Sequence, residues 1–321
     1  MNIVLKHVDI KDFAVKDEVL GFYMIKLCDA KVTNAGQKYL NMNLGDATAE
    51  INAKLWDVSD ELAAQFSVGQ IVRIMGTVIE YQGSMQLKLE KIRLAKKEDD
   101  INPSDFVPVA PFKPEEMYAY LYETAESFNN KSLRDITLDI LNTYKEKLMY
   151  YPAAKKNHHA VRSGLLYHTS TMLKTAHKVC EIYDFLDREL LFAGVILHDM
   201  AKMDEMESSE LGIIGEYTPE GNLIGHLVKG AINISLVGER LKSDKEIIML
   251  LSHMLLSHHN LPEHGSPKYP EIPEAEMLHQ LDIMDARMYD MKKITDSMQP
   301  GEMSDKIWSL EGRQIYKRFS L

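Results

Sequence analysis

The chain has 321 residues and a formal net charge of −11, and 45% of its residues are hydrophobic and 26% are charged. This composition is typical of a globular protein, and the longest apolar run, Leu190 to Leu197, is far shorter than the ~20 residues that a membrane-spanning helix needs. An acidic chain is also a poor general binder of nucleic acid, unless bound cations reverse the charge beside a phosphate.

Residues 18–94 are predicted to form five short strands. Alternating or mostly apolar patterns predict strands at residues 19–27, 39–44, 50–56, 69–79 and 85–92. A short helix is expected from Glu61 to Phe66, and Tyr81-Gln82-Gly83-Ser84 is typical of a hairpin turn. Five strands with a helix after the third match a five-stranded OB-fold β-barrel, the alternative being another small β-domain. We assign residues 1–95 to this barrel.

One face of the predicted barrel carries aromatic, amide and lysine side chains. Strand alternation turns apolar residues such as Met85 inward, and the residues that it turns outward include Tyr39, Asn41, Lys54, Trp56 and Lys88. Aromatic rings beside lysines are typical of surfaces on which unpaired bases stack. The alternative is that Trp56 packs against another part of the chain or against a partner subunit.

A proline-rich linker and an all-α domain are predicted after the barrel. The linker, residues 96–114, begins with charged residues and contains four prolines. Residues 115–300 show helical periodicity, with helices expected near residues 115–129, 132–149, 164–183, 188–200, 224–241, 244–258 and 274–291. The tail, residues 301–321, receives no assigned role.

The N-terminus and the cysteines favour a cytoplasmic protein without a membrane partner. Residues 1–7 lack the basic and apolar regions of a signal peptide. Cys28 and Cys180 lie far apart and outside any Cys-x-x-Cys pattern, so neither a disulfide framework nor a thiolate metal site is expected. The 19 methionines leave a homo-oligomer open.

Histidines are concentrated in the helical domain, where 11 of the 12 lie between residues 158 and 279. His258 falls in the middle of the apolar face of its helix, and His198-Asp199 end the most apolar helix. The candidate donors at helix ends and faces are His168, His198, Asp199, His226, His258, Asp282 and Asp285. If they converge, they would hold divalent metals such as manganese, iron, zinc or magnesium. For any single histidine, a hydrogen-bonded core position is the alternative.

The order of these residues resembles the HD superfamily of metal-dependent phosphohydrolases. His198-Asp199-Met200-Ala201-Lys202 is similar to the HD-x-x-K stretch of that family, with Ala201 where glycine is commoner. Two further features resemble the YhaM-type 3′→5′ exoribonucleases, which are also called CMP-binding factors. One is the barrel that precedes the helical domain, and the other is the sequence around the first ligand, Ser163-Gly164-Leu165-Leu166-Tyr167-His168-Thr169. The resemblance implies manganese-stimulated removal of nucleoside 5′-monophosphates from the 3′ end of single-stranded RNA, with single-stranded DNA as a further substrate.

The resemblance also implies two metal ions in each chain. The implied ligands are His168, His198, Asp199, His226, His258, His259 and Asp282. We expect Asp199 to bridge the ions, Lys202 to hold Asp199 or a phosphate, and Arg162 to reach a neighbouring phosphate or to face solvent. Manganese is expected, with iron, magnesium, zinc or cobalt as alternatives. Helical periodicity places Asp285 nearer the apolar face than Asp282, so Asp285 is the second candidate for the last ligand.

Two other functions stay open. One is an HD phosphohydrolase of free nucleotides or cyclic dinucleotides, which the barrel argues against because a small substrate needs no surface for a strand. The other is a non-catalytic nucleic-acid-binding factor, which the nearly complete ligand set argues against.

Overall fold

A computed structural model of the chain describes residues 7–33, 36–96, 98–99, 101–155 and 158–319. The chain divides into two compact units, Met1–Pro108 and Val109–Leu321. The division falls inside the segment predicted as a linker, residues 96–114. The first part of that segment contains a 3-10 helix, Pro103–Asp105, and belongs to the first unit.

Five strands of the first unit close into a barrel with the order β1-β2-β3-β5-β4. They are β1 (Glu18–Val32), β2 (Lys38–Gly45), β3 (Glu50–Trp56), β4 (Ile71–Tyr81) and β5 (Ser84–Leu94). Strictly alternating burial along β3 puts Ile51, Ala53 and Leu55 in the barrel core. Strands β3 and β5 pair in parallel, whereas the other pairs are antiparallel. The predicted OB-fold barrel is confirmed.

The turn between β4 and β5 has the predicted hairpin geometry. Gln82 and Gly83 have positive φ angles of 53° and 77°, as a type I′ turn requires. Met85 was predicted to point inward, but its side chain is 46% exposed because it lies next to this turn, at the end of the barrel. The helix after β3, α1 (Asp60–Ala63), ends earlier than the predicted residue Phe66.

The second unit is helical, and all seven predicted long helices are present. They are α2 (Pro114–Glu126), α3 (Lys131–Leu148), α4 (Gly164–Ile182), α5 (Arg188–Leu197), α8 (Gly225–Leu241), α9 (Lys245–Ser257) and α10 (Pro273–Asp296). Two short helices, α6 (Lys202–Glu205) and α7 (Pro219–Leu223), flank a hairpin of β6 (Met206–Ser208) and β7 (Ile214–Tyr217). This hairpin was not predicted, because strands of three and four residues leave no periodic pattern.

Helix α5 lies at the centre of this unit. All its residues from 190 to 197 are buried, and it contacts α2, α3, α4, α9 and α10. Its first turn is capped by Asp187, whose carboxylate accepts the backbone N–H of Leu190 at 3.0 Å. A helix that is apolar on all sides must be enclosed by others. The residues that follow its C-terminus, His198 and Asp199, are therefore held in the interior.

Candidate metal centre and nucleic-acid interface

The helices of the second unit bring the predicted metal ligands into two adjoining groups. In each group, every residue offers one ligand atom that lies within 4.8 Å of the others. The first group consists of His168, His198 and Asp282. The second group consists of Asp199, His226, His258 and His259. Because His198 and Asp199 are consecutive, the backbone after α5 joins the two groups.

Five ligand atoms of these groups are buried and have no hydrogen-bond partner within the described residues. They are the Nε2 atoms of His168, His198, His226 and His258 and the Oδ1 atom of Asp199. An unpaired buried polar atom costs about 1–3 kcal/mol, so gathering five of them at one place favours a bound partner. Imidazole nitrogens and carboxylate oxygens are common ligands of divalent transition metals. The residues present therefore fit metal ions.

Helix ends hold two of these imidazoles in the required orientation. His198 and His258 follow the last residues of α5 and α9, where the final carbonyl groups lack helical partners. Nδ1 of His198 lies 2.9 Å from the Val195 carbonyl oxygen, and Nδ1 of His258 lies 2.8 Å from that of Leu255. A carbonyl oxygen only accepts, so each Nδ1 carries the proton and each Nε2 is left with its lone pair.

Carboxylates hold the other two imidazoles in the same way. Nδ1 of His168 lies 2.7 Å from Oδ2 of Asp285, and Nδ1 of His226 lies 2.9 Å from Oε2 of Glu205. Histidines that bind metals usually donate their second ring nitrogen to such an acceptor, which fixes the tautomer. Sequence reasoning missed Glu205, because it lies in the short helix α6 rather than on a periodic face.

Asp199 lies between the two groups and is also paired with Lys202. Its Oδ2 atom is 2.7 Å from Lys202 Nζ, and its Oδ1 atom is 3.6 Å from His226 Nε2 and 3.7 Å from His258 Nε2. Burial would raise the pKa of Asp199, but Lys202 and the adjacent imidazoles hold that pKa well below its ordinary value. One carboxylate oxygen is thus held by lysine, while the other faces the second group.

The two candidate aspartates of α10 face different sides of His168. Oδ1 of Asp282 lies 3.3 Å from Nε2, the metal-facing nitrogen, whereas Oδ2 of Asp285 accepts from Nδ1. Asp285 also accepts from Nε2 of His159 at 2.8 Å. Burial would raise the pKa of Asp285, but the hydrogen bonds from His159 and His168 lower it to about 2. Asp285 therefore stays ionised and orients His168, and Asp282 lies beside the metal-facing nitrogen.

A tight loop before α4 positions His159. His159 and Ser163 have positive φ angles of 51° and 62°. The backbone carbonyl oxygen of His159 comes so close to Gly164 that an added Cβ there would lie 1.9 Å from it. Only glycine fits at this position. The sequence signals of this arrangement are the His158-His159 doublet and the Ser163-Gly164 pair.

We expect Gly164→Ala to destabilise the protein by about 1–3 kcal/mol, because the loop that carries His159 must move away from the new methyl group. Urea unfolding monitored by circular dichroism measures this change. The matched control is Gly215→Ala, where an added Cβ would make only an ordinary contact of 3.7 Å. Equal stability of the two variants would show that the loop moves without cost.

Arg162 is half-buried and contacts the backbone of another loop. Its Nε atom donates to the Glu210 carbonyl at 3.0 Å, in the loop before β7. A cavity of about 600 Å³ opens beside the metal groups, and its described lining includes Lys202, His226, His258 and Asp282 but not Arg162. The contact of Arg162 with a neighbouring phosphate stays a prediction.

The predicted outward face of the barrel is assembled by strand register. Tyr39 on β2 pairs with Trp56 on β3, and their rings stack with centroids 4.7 Å apart. Asn41 pairs with Lys54, and its side-chain oxygen accepts from the Asn52 amide at 3.2 Å. Trp56 remains 36% exposed. The five predicted residues thus lie on one surface of β2, β3 and β5, which we call the barrel face.

Lysines on the barrel face leave positive charge unneutralised. Lys54 on β3 pairs in register with Lys88 on β5, and within the described residues neither has a carboxylate partner. Nζ of Lys54 lies 5.3 Å from the ring centroid of Tyr81, an aromatic residue that sequence reasoning missed. Adjacent like charges repel each other, and a phosphate between them would relieve that repulsion. The barrel face therefore combines stacking rings with charges suited to a nucleic-acid backbone.

We expect Trp56→Ala to weaken binding of single-stranded RNA about tenfold, because base stacking is worth ~1–3 kcal/mol per base. Fluorescence anisotropy with labelled RNA and a chelator measures affinity without hydrolysis. Val68→Ala, an exposed apolar residue of the same unit outside the barrel face, is the control. If the two variants bind RNA with equal affinity, RNA binds outside the barrel face.

Family models match parts of both units of the chain. A family model described as an OB-fold nucleic acid binding domain matches residues 26–95, and the HD domain model matches residues 165–287. A solved domain of replication protein A from Methanococcus maripaludis is 21% identical, covers 28% of this chain and 96% of its own, and has a TM-score of 0.24. Among the described residues, no helix has the length and apolar character needed to cross a bilayer.

A curated relative covers nearly the whole chain. The 3′-5′ exoribonuclease YhaM of Geobacillus sp. (strain WCH70) is 40% identical over 305 residues, which are 95% of this chain and 93% of that protein. The match includes both the barrel and the helical unit, and the two metal-ligand groups lie within it. The chain therefore belongs to the family of the YhaM 3′-5′ exoribonucleases.

Proposed function

We propose that this chain is a metal-dependent 3′→5′ exoribonuclease that hydrolyses single-stranded RNA to nucleoside 5′-monophosphates. The observation that carries the proposal is the set of five buried, unpartnered ligand atoms in two adjoining groups. Membership in the family adds the direction of attack and the polymer substrate. A nuclease also accounts for both units, because one supplies a surface for a strand and the other a metal centre.

We assign one metal ion to His168, His198, Asp199 and Asp282, and a second to Asp199, His226, His258 and His259. A pair of ions, when bound, polarises the phosphoryl group and makes water a stronger nucleophile at neutral pH. Nitrogen and oxygen ligands without thiolate suit manganese, which we propose first, and also iron, cobalt, zinc or magnesium. Asp285 and Glu205 orient two of the imidazoles.

Lys202 acts on the centre through Asp199. It holds one carboxylate oxygen at 2.7 Å and donates to the Ala153 carbonyl at 3.3 Å, so its ammonium group is fixed from two sides. The pKa of Lys202 is raised by Asp199 although burial lowers it, and the side chain therefore stays charged. We assign it the role of holding Asp199 in the position from which its carboxylate would bind metal.

The barrel face contributes affinity that is independent of sequence. Neither of its two kinds of contact distinguishes RNA from DNA by the 2′-hydroxyl group. These contacts are base stacking on Tyr39 and Trp56 and phosphate binding by Lys54 and Lys88. Single-stranded DNA is accordingly a second proposed substrate.

We place the activity in the cytoplasm, because Cys28 and Cys180 are both free, as expected in a reducing compartment.

The test uses the full chain and a 5′-labelled single-stranded RNA, first with manganese and then with a chelator. We expect a ladder of products that shorten from the 3′ end with manganese and intact RNA with the chelator. A circular RNA of the same sequence is the control, since an exonuclease cannot begin on it. Intact linear RNA with manganese would overturn the proposal and favour a phosphohydrolase of free nucleotides, and cleavage of the circle would indicate an endonuclease.

A further inference from the structure

The C-terminal tail, to which the sequence assigns no role, forms a hairpin in the second unit. Met303 pairs with Tyr316 and Ile307 pairs with Arg313. The tip of the hairpin is a 3-10 helix, Trp308–Leu310, and the hairpin lies outside the segment that the HD domain model matches, residues 165–287. The described part of the tail is therefore an addition to the helical unit outside residues 165–287.

The tip of this hairpin lies at the metal-centre cavity. Trp308, Ser309 and Glu311 line the same cavity as Asp282 and His258. Glu311 forms an ion pair with Arg287 of α10, and Leu310 is fully buried. The burial of Leu310 and this ion pair anchor the residues that follow Trp308 to the unit that holds the metal ligands.

Trp308 is held out into solvent rather than packed. Its side chain is 93% exposed, the largest value for a large hydrophobic residue among those that the structure describes. Covering an aromatic side chain is worth several kcal/mol, because it removes a large apolar area from water. An anchored hairpin that leaves its indole uncovered at the mouth of a cavity provides a flat apolar surface for a ligand.

The cavity offers different chemistry at its different walls. Metal ions held by the two ligand groups would attract phosphate, whereas Ile283 and Ala286 of α10 are apolar lining residues. The lining lysine and arginine that the structure describes, Lys202 and Arg287, are already paired with carboxylates. The apolar lining residues and Trp308 therefore offer contact to a base rather than to a phosphate.

We propose that Trp308 is a stacking platform for an unpaired nucleobase of the strand whose 3′-terminal nucleotide occupies the metal-centre cavity. This inference rests on the proposed nuclease function and adds the residue that binds the base. Stacking accepts every base, since each has a π-face, so the platform positions the strand without selecting its sequence. A base inside a duplex is covered on both faces by its neighbours and cannot stack in this way, so the platform also favours single strands.

Intrinsic fluorescence tests the contact without hydrolysis. The chain has two tryptophans, so Trp56→Phe leaves Trp308 as the sole indole fluorophore. We expect uridine 5′-monophosphate with manganese to quench its emission in a saturable manner, and ribose 5-phosphate, which lacks the base, to leave it unchanged. Equal effects of the two compounds, or none, would overturn the inference.

Kinetics on single-stranded RNA test its consequence. Trp308→Ala is expected to raise KM about tenfold with little change in kcat, because stacking holds the ground state and the transition state equally. Trp308→Phe should recover most of the lost affinity. The control is Phe185→Ala, which removes an aromatic side chain of the same unit that is 69% exposed and does not line the cavity.

The outcomes separate this inference from the proposed function. If the wild-type chain does not shorten RNA, the proposed function fails. If it does, and Trp308→Ala keeps the wild-type KM while Trp308 emission is not quenched, the stacking platform is wrong. A change of oligomeric state in Trp308→Ala, measured by light scattering, with KM unchanged would also overturn it and assign Trp308 to contact between copies of the chain.

Discussion

Replacing Asp199 by asparagine is expected to reduce RNA hydrolysis by at least ~10³-fold, because metal ions contribute several kcal/mol to the transition state and each 1.36 kcal/mol is tenfold in rate. Asp199 belongs to the second ligand group, its Oδ2 atom lies 3.3 Å from Nε2 of His198 in the first group, and its Oδ1 atom is among the buried atoms without a hydrogen-bond partner. The amide keeps the size of the side chain but loses the charge that attracts the ions. Product formation from 5′-labelled RNA in manganese measures the effect.

Two controls make this result specific. Binding of single-stranded RNA, followed by anisotropy, should be retained, because the barrel face is unchanged. Asp204→Asn removes a neighbouring carboxylate that bonds to Tyr144 and belongs to neither ligand group. A rate for Asp199→Asn within about tenfold of that of Asp204→Asn would mean that the ligand assignment is wrong.

Asp285→Asn is expected to weaken metal affinity and activity by about 10–100-fold, the usual cost of losing the acceptor behind a histidine ligand. Asp285 holds both His159 and His168, so its loss frees two imidazoles at once. Isothermal titration with manganese measures affinity directly and does not depend on turnover.

The matched control is Asp296→Asn in the last turn of the same helix, where the carboxylate pairs only with exposed Lys292. This variant should bind manganese like the wild type. If Asp285→Asn also binds manganese normally, Asp285 has a structural role and does not orient a ligand.

Much of the fold can be predicted from the sequence because its signals are periodic. Alternation in residues 50–56 predicts a strand with the bounds that β3 has, and the apolar run before His198 predicts the central helix. The resemblance to the HD superfamily implies which histidines and aspartates the helices bring together. Asp282 and Asp285 could not be separated in this way, because their roles depend on which ring nitrogen of His168 each faces.

Other features of the site have no periodic signal. Glu205 lies in a four-residue helix, and the position of His159 depends on positive φ angles at His159 and Ser163, which are uncommon for residues other than glycine. The tail hairpin has two isolated bridges and a few backbone hydrogen bonds, such as that from Ser304 N–H to the Ile315 carbonyl, but no regular strand. Its tip reaches the cavity only through tertiary packing, which sequence patterns do not encode.

Helix α10 also limits how the length of this protein can vary. Three residues of this one continuous helix have different partners. Asp282 belongs to a metal-ligand group, Asp285 contacts the His168 imidazole, and Arg287 pairs with the tail hairpin. Each inserted residue would turn everything beyond it by about 100°. An insertion between Asp282 and Asp285 would therefore separate these tasks even if every side chain were kept. Relatives that perform the same chemistry should differ in length elsewhere, in loops such as the one between β6 and β7.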